Sequence, residues 1–432
     1  MGMNAEAKIR RPAQTMAHGG KGGWLLRAIG SYFVADLLGV LGIALFSVLL
    51  GRLRGAEELG IFSFAMALGT LAQVFTDANY QLTLPQQVAR TGELTALTKA
   101  QAAKLVLWLP AFGAILAVAA LSGHPQVVFV TAVALLAGLL HSVGDTLMAG
   151  LRGVGQQERA AWIIAGSSTI GAGAAVAGLF AQMPLALLVL LNGVATALPR
   201  VAWGAQALRS VHPEWNPWLE LQRIWDLRPS GVGELLQRLA ALLRERFGWM
   251  AFGFLTVLFM RYGVLLLGWV GSPAAVGVYS AAQRFLMVLR MLPGAVLVVL
   301  LPEFARNPDR ASLWRGIALS LPAAAAVVLP LWIAAPVLME LTFAIEEAVL
   351  PLRLMLLSFP AVLIAHLLEA YVLTLPGTQY RLVRAMLLIV LAMLPVTLLG
   401  YSVGGVPAVA LAYTVMEVLY MGAVAWSAWS GR

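Results

Sequence analysis

Two stretches, LLGRLRGAEELGIFSFAMALGTLAQVFTDANYQLTLP (49–85) and LLGWVGSPAAVGVYSAAQRFLMVLRMLPGAVLVVLLP (266–302), lie at a fixed offset of 217 residues. Nine of 37 gapless positions are identical. They include Gly51/Gly268, Gly60/Gly277, Ser63/Ser280 and Pro85/Pro302. Leu and Ala identities come cheaply in an apolar chain; Gly, Ser and Pro in common register do not. Each stretch comprises a turn and the long apolar run that follows it. The offset is about half the chain, so the protein reads as two related halves.

Working outward, lipid is the expected solvent. Of 432 residues, 60% are hydrophobic and only 11% are charged, against roughly 25% charged in a soluble domain. Apolar runs near the 20 residues that span a bilayer fall at 31–50, 60–84, 102–122, 125–149, 160–181 and 184–208. A second set falls at 247–269, 275–301, 313–338, 348–375, 380–403 and 406–429. The prediction is an all-α membrane protein of about twelve helices, in two six-helix bundles. Six spans separate the two copies of the repeat. An even number leaves both copies running the same way, so the halves are related by a pseudo-two-fold along the membrane normal.

Charge placement sets the expected orientation. The net charge of +9 could suggest nucleic acid, but the basic residues form short clusters between apolar runs. Assigning loops alternately, one side receives 22 of the 29 Lys and Arg residues and the other only Arg52, Arg54 and Arg353. Positive charge stays cytoplasmic, which places both termini inside. The expected layout is a cytoplasmic tail (1–30), a first bundle (31–208), a cytoplasmic amphipathic linker (209–246) and a second bundle (247–432). The tail has no apolar signal-peptide core. Within the linker Leu235, Leu239, Leu242 and Leu243 oppose Glu234, Arg238 and Arg244, and the reading is a helix resting in the headgroup layer.

The two quoted stretches resemble the polysaccharide-biosynthesis flippases of the MATE-like multidrug/oligosaccharidyl-lipid/polysaccharide exporter superfamily. The resemblance rests on the glycine–hydrophobic–Tyr/Phe–Ser–x–Ala run after a short turn (Gly60–Ala65, Gly277–Ala282) and on the proline closing the helix. It implies a transporter that carries polyprenyl-diphosphate-linked glycan, an O-antigen or exopolysaccharide unit, from the cytoplasmic to the outer leaflet of a bacterial or archaeal membrane. Glycan polymerases or glycosyltransferases are the partners it implies, and a proton or sodium gradient the drive. No cofactor is expected.

Ionisable groups inside the spans carry the functional reading, because each costs about 2.5–3.5 kcal/mol on insertion scales unless it faces a partner, water or a cavity. Arg200, Arg261, Arg284 and Arg290 fall inside spans. Arg261 and Arg284 lie roughly 14 Å below the outer face at 1.5 Å per residue. Arginine keeps its charge in low dielectric and grips phosphate oxygens bidentately, so these four are candidate diphosphate ligands. The resemblance implies a cationic cavity with arginines toward the first and eighth spans, where Arg27, Arg284 and Arg290 lie. Gln73 shares a face of span two with Thr70 and Asp77; their repeat partners are Met287, Arg290 and Gly294. Asp77 is expected to exchange with an arginine between states. Asp36, Asp77 and Glu369 are the candidate ion-coupling or gating acids, while Asp145 and Glu417, nearer span ends, read as helix–helix ties.

Other classes fit less well. An exporter of organic cations calls for an acidic cavity, whereas the second half is arginine-rich. A membrane ligase or polymerase needs a large outer loop with basic catalytic residues, and the outer loops are short. Without cysteine there is no thiol chemistry, and the five scattered histidines have no metal-ligand spacing. The chain is therefore not expected to be an enzyme.

Overall fold

The structure is a computed structural model that describes residues 21–226, 229–306, 310–372 and 378–430. Thirteen α-helices make up the described chain: α1 (Lys21–Asp77), α2 (Tyr80–Thr91), α3 (Thr95–Ala120), α4 (Pro125–Gly153), α5 (Gln157–Phe180), α6 (Leu185–Val211) and α7 (Pro217–Asp226), followed by α8 (Val232–Val270), α9 (Pro273–Arg306), α10 (Arg310–Thr342), α11 (Val349–Leu356), α12 (Phe359–Val372) and α13 (Thr378–Ser430). Helices are what a lipid-embedded chain must form, since only they satisfy each backbone N–H and C=O within one segment.

Two helices, α1 with 57 residues and α13 with 53, are long enough to cross a bilayer twice, and each is two spans joined at a glycine. In α1 the break is Gly55, at φ 84° and ψ 179°. In α13 it is Gly405, at φ 61° and ψ −146°. A side chain at either φ is strained, which is why glycine stands there. By length and apolar content eight helices can cross a membrane, or nine when α11 and α12, bent by 42°, count as one span. Dividing α1 and α13 at their glycines and adding the 34-residue α9 brings the total to twelve. Side chains such as Leu45, Phe129, Leu319 and Val403 point outward and are well exposed, as lipid-facing groups are.

The two halves meet through their repeated elements. The second span of α1 packs along α9, its own repeat partner. A Cβ on Gly60 would collide with the carbonyl of Pro273, and one on Gly277 with the carbonyl of Ala56. Positions 56 and 273, like 60 and 277, are separated by the 217-residue offset. Each half thus offers the other the same glycine and the same carbonyl, and a two-fold axis passes between them. Around this contact Phe64 packs on Gly268, Gly51 faces Phe343, and Arg52 Nη1 donates to Leu341 O at 2.6 Å. This end of the bundle, the Gly55 end, is closed.

The linker departs from the sequence expectation. Residues 232–246 do not form a separate interfacial helix; they are the opening turns of α8 and run unbroken into the seventh span. No proline or glycine interrupts Glu234–Phe247, so the helix has no reason to end there. Leu239, Leu242 and Leu243 are half-buried against a cluster that includes Leu97 and Trp215, while Leu236 and Phe247 stay exposed. This extension reaches the first half, where Arg246 Nη1 donates to Thr83 Oγ1 at 2.9 Å and its guanidinium stacks 4.0 Å from the Tyr80 ring.

Candidate functional site

The charges buried in the first half are tied to one another. Helix α4 turns Asp145 toward α6, where its Oδ1 meets Arg200 Nη1 at 2.8 Å. The same carboxylate accepts from Gln73 Nε2 at 3.2 Å. Arg200 also donates through Nε to Ser167 and through Nη2 to Ser168, both at 3.1 Å. Gly144 makes room for this, since a Cβ there would press on the Arg200 side chain. Arg200 and Gln73 are thus brought together, as ends of one network whose centre is Asp145.

Asp77 faces Lys104, not an arginine of the other half. Lys104 Nζ lies 2.7 Å from Asp77 Oδ1 and donates to Thr146 Oγ1 at 3.0 Å. Asp77 Oδ2 accepts from the Gln81 backbone N–H at 3.1 Å and so caps the start of α2. The loop count above places Lys104 among the cytoplasmic charges. It lies in the third turn of α3 and is 2% exposed. Its position at i+3 from Gln101, inside an apolar run, is the signal in the sequence that it is buried. Breaking such a buried pair by removing one partner costs about 3–5 kcal/mol, because the other charge is left behind.

In the second half the arginines divide. Arg290 is paired with Glu417, and its guanidinium lies 5.8 Å from the Tyr413 ring. Glu369 accepts from the Tyr420 hydroxyl. Arg261 and Arg284 have no carboxylate partner among the described residues. Arg261 Nη1 reaches only the Met287 sulfur, at 3.5 Å. Arg284 reaches across to the first half, 5.9 Å from the Phe62 ring. Met287 is one turn from Arg284 on α9, so the two arginines come from neighbouring turns of facing helices. The side chains of Arg27 and Asp36 lie outside the described residues.

Beside Phe62 the first half holds a cavity of about 260 Å³, between the two spans of α1 and helices α4, α5 and α6. Small residues open it, among them Gly69, Gly138 and Gly193, and among the described residues its lining carries no carboxylate or guanidinium. The buried groups can therefore do two things chemically. The paired ones hold helices in register. Arg261 and Arg284, without a carboxylate partner among the described residues, present positive charge, Arg284 where the halves meet.

A family model described as "Polysaccharide biosynthesis protein" matches residues 25–308. Among solved structures the chain is similar to "Lipid II flippase MurJ, inward closed conformation", with a TM-score of 0.70 and 12% identity, covering 93% of this chain and 87% of that one. It is also similar to an inward-facing multidrug resistance MATE family transporter of the MOP superfamily (TM-score 0.61, 17% identity, 92% and 93% covered). A point mutant of the Vibrio cholerae MATE transporter VcmN gives a TM-score of 0.56 at 18% identity, with 94% and 96% covered. At these identities the likeness establishes the fold. A comparison with curated protein sequences gave no match.

Proposed function

The chain belongs to the polysaccharide biosynthesis protein family, and from that premise we propose that it is a flippase for lipid-diphosphate-linked oligosaccharide, working by alternating access. The observation that carries this reading is the state of its buried cations. Lys104, Arg200 and Arg290 are each neutralised by an acid. Arg261 and Arg284 are left without one among the described residues: Arg284 lies against Phe62 of the first half, and Arg261 reaches Met287, one turn from Arg284 on α9. Two uncompensated guanidinium groups at membrane depth call for an anion, and a diphosphate offers the bidentate oxygens they bind best. An organic cation would be repelled, which counts against the drug-exporter alternative.

Arg200 and Arg290, held by Asp145 and Glu417, serve the proposal as structural charges in this conformation. Gln73 has its carbonyl oxygen still to offer. Arg27 remains a proposed contact at the cytoplasmic mouth. With positive charge inside, the closed Gly55 end faces outward, the membrane is the cytoplasmic membrane and both termini are cytoplasmic. Closure on the outer side suits a protein waiting to load a substrate made in the cytoplasm, with polymerase or glycosyltransferase partners supplying and consuming it. Asp36, Asp77 and Glu369 are the proposed ion-coupling acids for a proton or sodium gradient. Asp77 could serve only after leaving Lys104.

The test is Arg261→Gln with Arg284→Gln, reconstituted in liposomes with a polyprenyl-diphosphate glycan. Translocation should fall by about a hundredfold, on the order of 3 kcal/mol for two charge-assisted contacts, with membrane insertion unchanged. Flipping at the wild-type rate would sink the reading.

A further inference from the structure

We infer that the cavity in the first half is the subsite for the sugar next to the diphosphate, and that it takes a neutral pyranose. The inference rests on the flippase reading above and extends it from the anion to the glycan. Phe62 is common to the two sites: it lines the cavity, and the Arg284 guanidinium lies 5.9 Å from its ring. A group held by Arg284 would therefore place its neighbour at the cavity.

The lining suits a sugar more than it suits lipid or an ion. The His141 ring and the Asn192 amide line it and make no hydrogen bond among the described residues. The Gln73 side chain spends its N–H on Asp145 and keeps its carbonyl oxygen. These groups match hydroxyls, which both donate and accept. The Asp145–Arg200 pair behind Gln73 and Ser168 is mutually neutralised, so among the described residues no net charge invites an acidic sugar. Phe62, with Met66 and Ile43, gives the apolar face of a pyranose a surface to lie on. The alternative is a vestibule holding only water, about nine molecules at roughly 30 Å³ each.

Gly138 offers a clean way to decide. It lines the cavity, and a Cβ added to it meets nothing within 4 Å, so Gly138→Leu starts from open space and takes up volume in the cavity. Binding would be measured on purified full-length protein. The probes are polyprenyl diphosphate bearing no sugar, one hexose or one N-acetylhexosamine. The wild type should bind at least one sugar-bearing probe about tenfold more tightly than the bare diphosphate, the worth of two net hydrogen bonds. Gly138→Leu, and separately His141→Ala with Asn192→Ala, should erase that preference while retaining affinity for the bare diphosphate, which also shows that the variants are folded. A wild type with no sugar preference overturns the subsite, as does a preference that survives Gly138→Leu. A wild type that binds none of the probes overturns the flippase reading as well. Arg261→Gln with Arg284→Gln should weaken all three probes equally, which separates the two sites.

Discussion

Arg290 and Arg284 are six residues apart on one helix and carry the same charge, yet they are in different chemical situations. Arg290 sits against Glu417, a carboxylate only 2% exposed; Arg284 faces an aromatic ring. Arg290→Gln or Glu417→Gln alone should therefore destabilise the protein by about 3–5 kcal/mol, by stranding a charge, and the double variant by much less. Unfolding in detergent across the four-member cycle measures this, and additive losses would show that the two do not act as a pair. The presence of arginines in apolar spans was legible, because a charge in such a run stands out. Their partners were not. Pairing depends on how each helix is rotated and which neighbour it meets, and neither follows from sequence spacing. So Asp77, expected to exchange with an arginine, meets Lys104 of α3, and Asp145 meets Arg200 across 55 residues.

Elements were more legible than pairs. Hydrophobic runs of bilayer length located most spans, because length and composition are local properties, but the run 60–84 ends as a span at Asp77, where positive φ at Ala78 and Asn79 turns the chain into α2. The linker departs from expectation for a related reason: amphipathicity shows that a helix has an apolar face, not what covers it. In α8 one part of that face, Leu239, Leu242 and Leu243, lies against protein, while Leu236 and Phe247 stay exposed. The glycines at the end of the bundle allow a sharper test. At Gly60 any side chain meets the backbone carbonyl of Pro273, which cannot rotate aside. Gly60→Ala should hold the Gly55 end ajar. The chain has no cysteine, so a single Phe64→Cys, at a site buried against Gly268, reports on this without background. Its labelling by a membrane-impermeant maleimide should be about tenfold faster in the Gly60→Ala background, matching a population shift of roughly 1.4 kcal/mol. Equal rates would show that the glycine contact does not control closure.

For the molecule as a whole, alternating access requires the closed end to open, and the contacts across it must then break together. Arg52 binds the carbonyl of Leu341 at the end of α10. A short bismaleimide joining Arg52→Cys to Leu341→Cys should hold that end shut and stop transport, while the unlinked double variant still flips; continued flipping after linkage would mean the halves do not separate there. The two-half plan was legible because the repeat keeps glycines, which the close approach of two backbones requires. The chemical inequality of the halves was legible only in part. Counting buried arginines pointed to the second half, but only the pairing pattern separates two cations with no acid among the described residues from two neutralised ones.

The exchange of Gly60 and Ala56 against Gly277 and Pro273 also bears on origin. A surface that fits its own copy is what a homodimer uses. A half-length ancestor with six spans would have inserted every copy in one orientation, so two copies could meet through this surface as they stood. Fusing the two genes in tandem would then have preserved the contact and freed each copy to drift: one toward balanced charge around a neutral pocket, the other toward a surplus of arginine.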